Sequence, residues 1–215
     1  MKTRLIILSI LLLGKTLLAV NDSTYQNRKI LKLNFTQLIF SEADFYFEYS
    51  KKANSSIEGG IGIIMPAKHY ANDFFFMPYN ENIFYYQGIM LSVQYKFYNK
   101  RGMYISPLIK SRFLYYNNVW VTRRGEGMTY WYESLEDSRK QTHTLELLFG
   151  LQSKNKVNAD LYFGLGLRFI SMNIDLKDYT GNYLAGSGGG EYLMPTFHLG
   201  VKFGLDITKS KFNNK

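Results

Sequence analysis

The chain has 215 residues, 46% of them hydrophobic and 20% charged, with a formal net charge of +9; this balance suits one ordered domain and excludes a long disordered protein. Aromatics reach 17%, as 18 Tyr, 16 Phe and 2 Trp, beside 4 Pro and no Cys. The missing cysteine excludes disulfide scaffolds, thiolate zinc sites and cysteine nucleophiles, and the basic excess is scattered apart from small clusters at Arg28-Lys29-Lys32 and Lys209-Lys211-Lys215, which argues against a nucleic-acid partner.

The N-terminus reads as an export leader. Lys2 and Arg4 precede an apolar run from Leu5 to Leu13, and Leu17-Leu18-Ala19 supplies a small residue before a polar segment. That pattern predicts a secretory signal over 1–19, cut after Ala19. The run is too short for a spanning helix, which needs roughly 20 apolar residues. A short polar segment over 20–29 follows, then one domain over 30–207 and a tail over 208–215.

From Leu31 onward the apolar period is two. Leu31, Leu33 and Phe35 alternate with Lys32, Asn34 and Thr36; Ala43, Phe45, Phe47 and Tyr49 with Asp44, Tyr46, Glu48 and Ser50; Ile57, Gly59, Ile61 and Ile63 with Glu58, Gly60 and Gly62. The next pair sets Ile89, Leu91, Val93, Tyr95 and Phe97 against Gly88, Met90, Ser92, Gln94 and Lys96, and then Ile105, Pro107, Ile109, Phe113 and Tyr115 against Ser106, Leu108, Lys110 and Arg112. The last three strands carry His143, Leu145, Leu147 and Phe149; Leu161, Phe163, Leu165, Leu167 and Phe169; and Leu193, Pro195, Phe197, Leu199, Val201 and Phe203 on the apolar side. Alternation over these lengths predicts eight strands.

The connections alternate too. Short turns near Lys51 to Ser55, Asn99 to Gly102 and Lys154 to Asn158 take turns with long segments at Pro66 to Asn82, Asn117 to Gln141 and Asp175 to Gly190, and with a short one at Ile39 to Glu42. Short turns on one rim and long loops on the other predict an all-β, eight-stranded antiparallel up-and-down transmembrane β-barrel with periplasmic turns and extracellular loops. The polar face decides which side meets lipid. It mixes glycines with charges of both signs, which suits a crowded lumen that eight strands leave only wide enough for side chains. The expected lumen network comprises Glu48, Glu58, Lys96, Arg112, Glu146, Arg168, His198 and Lys202, closed by salt bridges because unpaired buried charge is costly. Tyr49, Tyr85, Tyr95, Tyr104, Tyr115, Tyr116 and Tyr192 are expected as interfacial girdles. The soluble alternative, a secreted ligand-binding barrel, would put the apolar face inside.

Phe45-Tyr46-Phe47-Glu48-Tyr49, Ser56-Ile57-Glu58-Gly59-Gly60-Ile61-Gly62, Tyr104-Ile105-Ser106-Pro107 and Leu161-Tyr162-Phe163-Gly164-Leu165-Gly166-Leu167-Arg168 make the chain resemble small outer-membrane β-barrel proteins of Bacteroidota, and more broadly OmpA- and OmpX-type barrels. The last strand, His198-Leu199-Gly200-Val201-Lys202-Phe203-Gly204-Leu205, is similar to the signal read by the barrel-assembly machinery, although the chain continues to Lys215 rather than ending on an aromatic. The resemblance implies an outer-membrane location in a Gram-negative bacterium. Lipid and lipopolysaccharide are then the neighbours, and the chain is a monomer.

Chemistry is sparse. The three histidines, His69, His143 and His198, share no metal-ligand spacing, and no cofactor is expected. The chain reads as a non-enzyme with an envelope-structural or surface-interaction role. The enzyme alternative is lipid A or phospholipid acyl hydrolysis at the rim by His143 and Ser171, with Glu133 or Glu136 orienting the imidazole. Trp120, Arg123, Arg124, Trp131 and Tyr132 around Gly125-Glu126-Gly127 read as a hairpin whose aromatic and guanidinium groups could anchor a partner or pair with lipopolysaccharide phosphates. The Gly186 to Gly190 run lacks the strand-loop-helix setting of a phosphate cradle.

Overall fold

A computed structural model describes residues 27–39, 41–52, 54–66, 87–99, 101–124, 131–153, 156–177 and 182–208, with backbone alone at 118–119, 121–124, 131–134 and 183–187. Eight strands are present: β1 (Arg28–Asn34), β2 (Glu42–Lys52), β3 (Ser55–Ile64), β4 (Gln87–Tyr98), β5 (Met103–Arg124), β6 (Trp131–Gln152), β7 (Val157–Lys177) and β8 (Tyr183–Asp206). Each pairs antiparallel with the next, and β1 pairs with β8, so the sheet closes in a ring. Its wall is uneven, since β1 to β4 are about half the length of β5 to β8.

The register defines the ring's geometry. Stepping directly from strand to strand, Leu33 meets Phe45, Ile61, Leu91, Ser111, His143, Phe169 and finally Leu193. Leu33 itself pairs with Phe203, so one circuit ends ten residues along β8, from Phe203 to Leu193. With strands about 4.8 Å apart and a rise of about 3.3 Å per residue, that stagger tilts them by roughly 40°.

Alternation sorts the side chains, and it sorts them inside out relative to a water-soluble protein. Charged and polar residues are buried, among them Lys32, Glu48, Glu58, Lys96, Asp160 and Lys202, while Phe45, Phe47, Ile61, Leu91, Leu147, Phe163, Leu167 and Leu199 are exposed on the outside. Along β7 the apolar outward stretch runs from Leu161 to Phe169, nine residues; with the tilt above, the band stands about 20–25 Å tall. Above it the outward positions turn polar, with Arg139 and Gln141 on β6, Ser171 and Asn173 on β7 and Glu191 on β8.

Glycine makes the crowded interior possible. Tyr46 pairs across the strands with Gly60, Tyr104 with Gly150, and Tyr162 with Gly200. A Cβ at any of these three glycines would come within 2.5 Å of the facing tyrosine side chain, so each tyrosine packs against backbone that only glycine leaves bare. The turn rim uses a different glycine property. Gly102 has φ 83, and Asn99 Oδ1 accepts from the N–H groups of Arg101 at 2.9 Å and Met103 at 3.0 Å, an Asx turn that reverses the chain.

Three expectations need correction. The segments 117–141 and 175–190 are not long loops: β5 and β6 stay paired to Arg124↔Trp131, and β7 and β8 to Lys177↔Tyr183. Polar alternation serves a strand as well as apolar alternation once its outer face leaves the apolar band. Second, Phe35 is not in a strand. Residues Phe35–Ile39 form a short helix, α1. A continued strand would turn Gln37 outward among Phe35 and Ile39, whereas one helical turn buries Gln37 and leaves Phe35 and Ile39 outside. Third, Tyr104 and Tyr116 do not sit on the outer face; both are buried within the ring, at 5% and 2% exposure. Tyr95 and Tyr115 are exposed on the outer face, whereas Tyr192, opposite Ile170 and of the same parity as His198, lies on the inner one although it is exposed; Tyr85 lies outside the described residues.

Candidate functional site: the ion-paired lumen

The lower lumen, nearest the short turns, holds one cluster to which every strand contributes a side chain. Lys32 comes from β1, Glu48 from β2, Glu58 from β3, Lys96 from β4, Tyr104 from β5, Gln152 from β6, Asp160 from β7 and Lys202 from β8. Lys32 Nζ donates to Glu48, to Glu58 at 2.8 Å and to Asp160 at 2.9 Å. Lys96 Nζ reaches the same three carboxylates at 3.3, 2.8 and 2.6 Å, and Gln152 Oε1 at 3.1 Å. Lys202 Nζ donates to Glu58 Oε1 at 2.5 Å and lies 3.9 Å from the Tyr46 ring centre, a position that cation–π attraction favours.

Neutral groups complete the shell. Tyr104 donates to Asp160 Oδ1 at 2.7 Å, Gln94 to Glu58 Oε1 at 2.6 Å, and Ser56 to Glu48 Oε1 at 2.7 Å. The Tyr98 hydroxyl lies 2.7 Å from both Glu48 Oε1 and Gln152 Oε1 and donates to one of them. Three ammonium groups face three carboxylates, so the charge balances and each ion has several partners. This is the condition under which buried charge is tolerated.

A second layer lies higher. Arg112 grips Glu42 with Nε at 3.1 Å and Nη2 at 2.8 Å, the two-pronged geometry that favours arginine over lysine. Lys110 Nζ stands 3.2 Å from Glu42 and 3.5 Å from Asp44. Beside it a relay joins α1 to the wall: Gln37 Nε2 lies 3.1 Å from His198 Nε2, and His198 Nδ1 lies 3.2 Å from Glu146 Oε2. With the imidazole proton on Nδ1, Gln37 donates to His198 and His198 donates to Glu146. Arg168 donates to Thr196 Oγ1 at 3.1 Å.

The eight residues expected in the lumen therefore divide between these places: Glu48, Glu58, Lys96 and Lys202 in the lower cluster, Arg112 in the upper one, Glu146 and His198 in the relay, and Arg168 beside Thr196. That set of eight does not include Lys32, Tyr104, Gln152 and Asp160 of the lower cluster or Glu42, Asp44 and Lys110 of the upper one. Lys32 stands in a small basic cluster with Arg28 and Lys29, although its parity with Asn34 turns it inward. Arg28 also has a partner, Asp206 at 2.6 Å.

Glu48, Glu58 and Asp160 each offer an oxygen within 4.8 Å of the others, the one such carboxylate set among the described residues. Two ammonium groups already lie against all three, so a metal ion would have to displace Lys32 and Lys96.

On the outer face, His143 and Ser171 stand two register positions apart. Ser171 pairs with Gln141, and His143 with Phe169 and Ser111; His143 Nδ1 lies 3.0 Å from Ser111 Oγ. Glu136 is turned to the inner face, where Tyr116 donates to it at 3.2 Å. The Glu133 side chain lies outside the described ones. So do those of Arg123, Arg124, Trp131 and Tyr132, whose backbones pair as Arg123↔Tyr132 and Arg124↔Trp131 near the top of the β5–β6 hairpin. Trp120, lower on that hairpin, is exposed. His69 and the whole Gly125-Glu126-Gly127 turn lie outside the described residues, as does the side chain of Gly186's neighbour Ser187. No protein-family model, curated protein or solved structure matches this chain.

Proposed function

We propose that the chain is an outer-membrane β-barrel of a Gram-negative envelope, monomeric, with a lumen plugged by ion pairs, and that its tall half presents a surface for interaction outside the cell. The single observation that carries this reading is the inverted burial: a continuous apolar band faces out while lysines and carboxylates fill the middle. In water such a band would drive association. In hydrocarbon it is the favoured face, and a closed ring leaves few backbone groups without partners. The band's height of about 20–25 Å suits a strand-built crossing. No described helix is long and apolar enough to cross a membrane, so strands would do so.

The rims support the same orientation. Lys29, Lys51, Lys52, Arg101 and Lys156 are exposed around the turn end, where lipid phosphates would lie. The role is proposed to be non-enzymatic; Glu136, one of the two acids expected to orient His143, points to the opposite side of the sheet. Lipopolysaccharide and outer-membrane lipid are the proposed surroundings, and the barrel-assembly machinery the proposed partner during insertion. Envelope fractionation with gel migration before and after boiling tests this reading. A protein in the outer-membrane fraction, with an unboiled band running faster than the boiled one, supports it; a detergent-free soluble monomer contradicts it.

A further inference from the structure

The wall is not sealed equally all the way round. Between β1 and β8 the pairing runs from Ile30↔Asp206 only to Asn34↔Lys202, whereas β8 continues upward, paired with β7 on its other side, to Tyr183. Where β1 would go on, the chain winds into α1 instead. Which backbone groups of β8 this leaves uncovered follows from parity. Ile207 N–H donates to Lys29 O on the β1 side and Val201 N–H to Thr36 Oγ1 of α1, both at 2.8 Å, while Asp206 N–H donates to Lys156 O on the β7 side at 2.9 Å. Odd residues of β8 thus aim their N–H and C=O away from β7, and the β7–β8 register is unbroken from Leu205 to Ser187. Leu193, Phe197 and Leu199 each offer an N–H and a C=O along this edge, and Pro195 a C=O alone.

Among the described residues no strand pairs with that edge. The side chains agree: Leu193 is 68% exposed and Phe197 64%, while Phe169, the β7 partner of Leu193, is 37% exposed. The edge also lies level with the apolar band, where unpaired peptide groups are most costly. Pro195 occupies a position where its missing N–H breaks no bond to β7, as proline does on edge strands.

We infer that the β8 edge from Leu193 to Leu199 is a strand-docking site, which takes one extended peptide segment running antiparallel to β8 in continuation of the β1–β8 pairing. The bond pattern fixes the partner's chemistry. It must accept from Leu193, Phe197 and Leu199, donate to the odd carbonyls, and leave the carbonyl opposite Pro195 without a donor, which restricts its register. Its outward side chains, beside Leu193, Phe197 and Leu199, must be apolar. A lipid tail satisfies none of the peptide groups. A second copy of this chain does not fit either, and this exclusion rests on the membrane reading above. Two copies inserted with the same end up would bring their β8 strands together crossed at roughly twice the tilt, about 80°, rather than antiparallel.

Amide hydrogen exchange on the full chain, folded in detergent micelles and in lipid nanodiscs, tests the inference. The probe is a synthetic peptide copying residues 28–34, the segment that already pairs with β8. Without peptide, the amides of Leu193, Phe197 and Leu199 should exchange fast while those of Met194, Thr196 and His198, which face β7, are protected. With peptide the odd amides should slow by about tenfold or more, and Phe197→Pro, which removes an edge donor but no bond to β7, should abolish the slowing. If Phe197→Pro does not fold, the wild-type pattern with and without peptide still decides. Odd amides protected without peptide would show that the edge is already covered, by the chain itself or by detergent. Protection gained on moving to nanodiscs alone would assign the site to lipid, and no slowing with peptide would remove it; each of these overturns the inference. A collapse of the membrane reading would show instead in fractionation, which this experiment does not use.

Discussion

The two halves of the ring obey one alternation but are held by different means. In the lower part all eight strands meet, and each sends a side chain into a single neutral cluster of ions and hydroxyl and amide groups. Midway up, the lumen groups fall into smaller sets, Arg112 with Glu42 of β2 and Gln37 of α1 with His198 and Glu146; higher still only β5 to β8 continue, joined by backbone ladders with polar residues on their outer face. Period-two patterning builds the wall in both places. The outward residue type changes with height, from leucine and phenylalanine to asparagine and arginine.

Because the lower cluster ties the whole circumference together, damage there should be the most severe. Glu58 accepts from Lys32, Lys96, Lys202 and Gln94, so Glu58→Ala leaves three ammonium groups facing two carboxylates. We expect a loss of about 3–5 kcal/mol, the range for breaking a buried pair, read as a fall in the urea midpoint of refolded protein or as loss of the fast-migrating band. A variant as stable as the wild type would mean that water fills the lower lumen.

Next in size is the fit between tyrosine and glycine. Gly150→Ala would place a methyl group 2.3 Å from Tyr104 Cζ and push the hydroxyl from Asp160. A cost of about 1–3 kcal/mol is expected from overpacking, and much of it should be relieved in a Gly150→Ala, Tyr104→Leu double variant. Additive effects would show that the two positions do not touch.

Smaller again is the upper pair. Arg112→Lys keeps the charge but loses the fork on Glu42, which should cost roughly 1 kcal/mol. In the tall half, Trp120→Ala should change the midpoint by less than about 0.5 kcal/mol, since that side chain is exposed. A larger shift at Trp120 would make the β5–β6 hairpin part of the fold rather than a display surface.

The inward and outward sets were legible along each strand because parity alone assigns them. Leu161 to Phe169 face out and Tyr162 faces in with no knowledge of neighbours. The same rule could have placed Tyr104, which shares parity with Ser106 and Lys110, and one of Tyr115 and Tyr116 had to turn inward. Lys32 was obscured by the basic residues beside it; its partners Glu58 and Asp160 come close only when the ring closes. The tyrosine–glycine pairs depend on register, which composition does not specify. The upper strands were hidden because their outward residues are polar, so alternation there resembles a loop. The run Thr36-Gln37-Leu38-Ile39-Phe40 breaks the period, and that break is the signal for α1.

The central claim is that the leucine and phenylalanine side of the wall meets hydrocarbon. The chain has no cysteine, so single cysteines can be placed in turn from Leu161 to Phe169, spin-labelled, and probed in lipid bilayers for collision with oxygen and with a water-soluble nickel complex. Odd positions should collide with oxygen and not with nickel, and even positions with neither. Nickel access at Phe163, Leu165 and Leu167 would contradict the account.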